Sequence, residues 1–82
     1  MVIFTPHILD RIIERGATKV EVIKTVEQGE KFPAKYGRTG FRLNFLYNSD
    51  WNGKYYSTKQ IEVLAINENN DWIAITIIVK YF

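Results

Sequence analysis

The chain contains one histidine, His7, followed at four-residue spacing by Arg11 and Arg15. On a helix that spacing stacks the three side chains along one face. If His7 occupies the first turn, the free backbone N–H groups and the helix dipole there attract anions such as phosphate. An imidazole can take a 2′-hydroxyl proton, and guanidinium groups can neutralise a phosphorane, so the three residues together suit RNA cleavage without a metal. The same residues also fit the plain polar face of an amphipathic helix, with the arginines paired to Asp10, Glu14 or carboxylates of a sheet. With one histidine, a second proton-transfer group has to come from Tyr81, Glu14 or a lysine.

A second group of cations lies between Glu30 and Asp50, where Lys31, Lys35, Arg38 and Arg42 occur with no acidic residue among them. The formal charge of the chain is +2, so the stretch carries +4 and leaves −2 for the remainder. Such a stretch can seat a phosphate backbone, or it can be a solvated basic loop. Late in the chain Trp51, Tyr55, Tyr56, Trp72, Tyr81 and Phe82 lie near Lys54, Lys59 and Lys80. Aromatic and basic side chains together can stack bases and hold phosphates, while a small domain also needs large aromatics for its core or for dimer contacts.

Metal and thiol chemistry find no support. There is no cysteine, the carboxylates show no ligand spacing, and neither a metal nor another cofactor is expected. Gly37 and Gly40 form an isolated pair that reads as a flexible turn.

The elements that position these residues follow from caps and periodicity. Residues 1–4 suit an edge strand. Thr5 and Pro6 then supply an N-cap and a favoured first helical residue. The first helix runs to Arg15 and stops at Gly16, burying Ile8, Leu9, Ile12 and Ile13. Thr18 and Glu21 make a capping box for a second helix over residues 19–28, which buries Val22, Ile23 and Val26 and ends at Gly29. Pro33, Gly37 and Gly40 mark a loop region. Alternation predicts strands over residues 41–47 and 60–66, with turn chemistry at 48–53, a little extended chain at 54–56, and a hairpin loop at 67–71. Residues 72–82 form an almost continuous β-branched and aromatic run, which places that strand centrally in the sheet.

The chain of 82 residues suits a single domain with one core, and its 46% hydrophobic content is enough to close that core without disulfides or metal. No apolar run approaches the roughly 18 residues of a membrane span, so a cytoplasmic protein is expected.

The pattern Thr5, Pro6, His7, Arg11, residues 14–18, Val22, Gly29 and Glu30 resembles the domain-of-unknown-function 4258 family. Residues 51–56, Glu62, Val63 and residues 75–81 extend the resemblance over nearly the whole chain. That family is similar in layout to RelE- and BrnT-like toxins, small metal-independent ribonucleases. The resemblance implies an α+β, RelE-like fold: two N-terminal helices packed on one face of a mainly antiparallel sheet of three to four strands. It also implies a site built from His7, Arg11, Arg15, Thr76 and Tyr81. The reading is a toxin-like endoribonuclease with His7, Arg11, Arg15 and Tyr81 as catalytic residues. Lys31, Lys35, Arg38, Arg42, Lys54 and Thr76 would contact RNA, and a cognate antitoxin or a second copy would be the protein partner. The alternative is a non-catalytic module that binds RNA or another protein.

Overall fold

The fold is described from a computed structural model covering residues 1–82. Its elements run β1 (Val2–Ile3), α1 (Pro6–Glu14), α2 (Lys19–Gln28), β2 (Glu30–Pro33), a short 3-10 turn (Lys35–Gly37), β3 (Thr39–Trp51), β4 (Lys54–Glu68) and β5 (Asp71–Tyr81). Both helices begin where the caps predict. The Thr5 hydroxyl accepts from the Ile8 N–H, and the Thr18 and Glu21 side chains complete a reciprocal capping box.

The five strands form one sheet in the order β1-β5-β4-β3-β2. Neighbours pair antiparallel except β1, which runs parallel to β5 with Val2 opposite Trp72 and Ile3 opposite Ile73. This overturns the expected mainly antiparallel, RelE-like sheet of three to four strands. Two segments account for the difference. Residues 1–3 add to the far edge of the sheet parallel to β5, with both helices and three strands between them in the chain, and Glu30–Pro33, which reads as loop because of its proline, pairs with β3 from Arg42 to Thr39.

The central strand is β4 rather than the last one. β1 covers only two residues of β5, so β5 is an edge strand beyond Ile73. Its double-sided apolar character has another cause: one sheet face carries the helices, and the other carries half-buried Ile73 and Ile78 with no layer over them. The β3–β4 hairpin is also longer than alternation predicts. Asn52 (φ 52) and Gly53 (φ 83) close it in two left-handed residues, and Asn48 (φ 45) absorbs a bulge in the ladder instead of ending the strand.

The core lies between the helices and one sheet face. Ile8 and Ile12 of α1 and Val22 of α2 pack on Phe41, Ile61, Val63, Ala65, Ala74 and Ile77. Alternate residues of β4 from Lys59 to Ala65 are buried on that side, the period a half-covered strand requires.

Candidate functional site

The helix-borne residues do not converge. His7 is exposed in the first turn of α1 and has no hydrogen-bond or ion-pair partner, whereas Arg15 follows two turns later, about 12 Å along the axis. Arg11 lies between them and pairs with Glu14 at 2.8 Å. The Arg15 guanidinium donates to the Ile77 carbonyl on the outer edge of β5.

Tyr81 does meet Arg15, but through the main chain: its hydroxyl donates to the Arg15 carbonyl at 2.8 Å. Its ring is stacked on Trp51 at 4.9 Å, meets Tyr47 edge-on and lies tilted against Tyr56. The phenol is pushed up to about 12, mainly by burial, with the Tyr47 and Glu21 charges adding to the shift. A phenol held protonated and already donating is poorly suited to act as a base. The catalytic set His7, Arg11, Arg15 and Tyr81 is therefore spread along α1, with Tyr81 at the end opposite His7.

What surrounds Tyr81 is a pin that sequence spacing does not show. Lys59 is 6% exposed on β4, and its ammonium donates to the Gly16 carbonyl at 3.0 Å and pairs with Glu21 at 2.8 Å. Gly16 (φ 75) turns the chain there, and a Cβ at that position would lie 2.7 Å from the Trp51 ring and against the Tyr81 hydroxyl. The only advance signal is a lysine at the head of the apolar alternation Ile61, Val63 and Ala65.

The basic stretch divides. Arg42 stacks on Phe32 at 4.5 Å and is paired with Glu62 at 3.2 Å and Glu30 at 3.9 Å, so its charge is largely used within the sheet. Lys31 lies over the Trp72 ring at 5.3 Å, on the helix side of β2. Lys35 and Arg38 flank Tyr36 at the turn between β2 and β3. Tyr36 is 86% exposed, adopts a left-handed backbone (φ 61), and has the Arg38 guanidinium over its ring at 5.9 Å. No acidic side chain pairs with Lys35 or Arg38.

Thr76 belongs to the same end of the sheet. It lies opposite Leu64, which lies opposite Gly40, and Phe32 covers Gly40 on the face away from the helices. Lys54 does not join them. It follows the Asn52–Gly53 turn at the other end of the 13-residue β3, about 40 Å from Thr39.

No group of three or more His, Asp or Glu side chains is placed to hold a metal ion. No helix is long and apolar enough to cross a membrane. The chain matches no family model, no curated protein and no solved structure. Neither membership of the domain-of-unknown-function 4258 family nor a RelE-like relationship is supported by these comparisons.

Proposed function

We propose that the protein is an RNA-binding module that meets single-stranded RNA with the turn bearing Lys35, Tyr36 and Arg38. The observation that carries this reading is Tyr36. A non-glycine residue held in a left-handed conformation costs of order 1 kcal/mol or more, and such strain gathers at functional positions. Here it presents an aromatic ring almost wholly to solvent, between two cations free of carboxylate partners. A base can stack on the ring while Lys35, Arg38 and Lys31 follow the phosphates. Thr76 and the Phe32 ring lie on the sheet face opposite Lys31, so a strand that follows Lys31 does not meet them. A cytoplasmic site of action is part of the same proposal.

The test is fluorescence anisotropy with a single-stranded RNA oligonucleotide at several salt concentrations. Three phosphate contacts should give a slope of log K against log salt of about −2, at roughly 0.7 per contact. Tyr36→Ala should weaken binding by about 5- to 100-fold, the range of one lost stacked base. Affinity insensitive to Tyr36→Ala, or to salt, would sink the reading.

A cleaving role for the same RNA has one observation behind it, the exposed and unpartnered His7 one turn before Arg11. Incubation with total RNA in EDTA, beside His7→Ala, tests it. Cleavage abolished by His7→Ala would make the protein a ribonuclease, and intact RNA would leave it a binder.

A further inference from the structure

For part of its length β3 is an unguarded edge strand. β2 covers its outer side only from Thr39 to Arg42, and Asn48 bends the strand at the bulge beyond Leu46. Residues 43–47 have no neighbour between those limits. The antiparallel hydrogen-bond alternation decides which backbone groups face outward there. Thr58 of β4 and Phe82 exchange bonds at 2.7 and 3.0 Å, so the next residue, Lys59, turns toward β3. Phe45, opposite Lys59, then bonds inward, and Asn44 and Leu46 aim their N–H and C=O groups away from the sheet. The same alternation puts the Ile77 carbonyl on the outer side of β5, where Arg15 is found donating to it.

The outer edges of β2, β5 and β1 carry protection of the kind that blocks strand addition. The alternation makes Lys31 and Pro33 the outward residues of β2, and proline has no N–H to offer. β5 has the Arg15 guanidinium across its edge and Lys80 near its end. β1 is two residues long, and two residues later Pro6 opens α1. Residues 43–47 contain no charge and no proline, and Leu46 is 89% exposed.

We propose that this edge pairs with the same edge of a second copy of the chain, antiparallel about a two-fold axis at Phe45. Asn44 then faces Leu46 of the second copy and Leu46 faces its Asn44, so every outward N–H and C=O in the segment finds a partner. On the helix side Phe45 meets Phe45, and Leu43 meets Tyr47, which sets apolar groups together and no charge against a like charge. The pairing ends at one side because Glu30 already occupies Arg42, and at the other because Asn48 turns the strand. At the first of these limits a polar notch of about 530 Å³, lined by Glu30, Arg42, Leu43, Asn44 and Gln60, leaves room for the second copy's chain as it turns away. So short a ladder buries less than the roughly 800 Å² per partner of a stable complex, so the dimer is reversible and concentration-dependent.

Sedimentation velocity across a concentration series, with residue-resolved amide exchange, tests this. The wild type should rise in mass toward twice the monomer, and the Asn44 and Leu46 amides should exchange more slowly as concentration increases. Leu46→Pro removes a donor that has no partner within the chain, and Leu46→Lys sets two cations near the axis. Both should stay monomeric with an unchanged thermal melt, and should Leu46→Pro misfold, Leu46→Lys decides alone. A wild type monomeric at every concentration would overturn the proposal. So would a dimer that survives Leu46→Lys, which would place self-association on another surface.

Discussion

Tyr81 couples the last strand to the end of the first helix through one hydroxyl, and its ionisation should be visible in stability. The folded phenol titrates near 12, above its ordinary value of 10, because burial disfavours the phenolate and Tyr47 and Glu21 add negative charge nearby. The folded state thus holds this proton more tightly than the unfolded chain does. The resulting stabilisation is fully present below pH 10 and is lost as pH rises from 10 towards 12. Thermal melts should show that decline in the wild type. Tyr81→Phe should lose about 1 kcal/mol at neutral pH with the hydrogen bond to Arg15, and should show less of the alkaline fall. An identical alkaline profile in Tyr81→Phe would mean that another group is responsible. The same hydroxyl explains why a residue expected to do chemistry serves the fold here: its proton is already given to a carbonyl.

At the scale of elements, the sheet and the helical hairpin are fastened at one buried charge. Lys59 reaches from the central strand to the Gly16 carbonyl and to Glu21, which at the same time caps α2 through the Thr18 N–H. Lys59→Met fits the space but strands Glu21 beside the aromatic cluster. It should cost about 3 kcal/mol in urea unfolding, at the low end for a broken buried pair because the Glu21 side chain keeps 21% of its exposure. Adding Glu21→Gln to Lys59→Met should return part of that loss. A single-variant cost under about 1 kcal/mol would show that the pair does not fasten the two layers. The turn between β2 and β3 has no comparable ion pair fastening it to the helices.

Across the whole molecule, stability rests on a thin core. A chain of this length carries about 4–12 kcal/mol in total, and its largest fully buried side chains include Ile8, Ile61 and Ile77. Ile61→Ala, at 0% exposure on the central strand, should therefore cost about 2–5 kcal/mol, about a sixth of the total or more. Calorimetry or denaturant unfolding would measure it, and a loss below about 1 kcal/mol would mean that the core collapses around the gap. The exposed half of the sheet adds nothing comparable, since it has helices on one side only. Its uncovered apolar residues and the open edge of β3 lie outside the core.

The sequence by itself determined both helices, because their caps and periodicity act within about four residues: Thr5 with Ile8, Thr18 with Glu21, Gly16 and Gly29 at the ends. It also exposed the basic stretch, whose four cations fall within residues 31–42 with no acidic residue among them. The tertiary structure decided the rest. Arg15 and Tyr81 meet across 66 residues, and Lys59 and Glu21 across 38, distances at which no local spacing carries a signal. Which strand is central was settled the same way, because an apolar run looks alike whether it is covered on both faces or left half open. Strand order depends on what pairs at each edge: residues 1–4 read as an edge strand without showing that β5 would be their neighbour, and the four residues of β2 took a position that their own sequence scarcely marks.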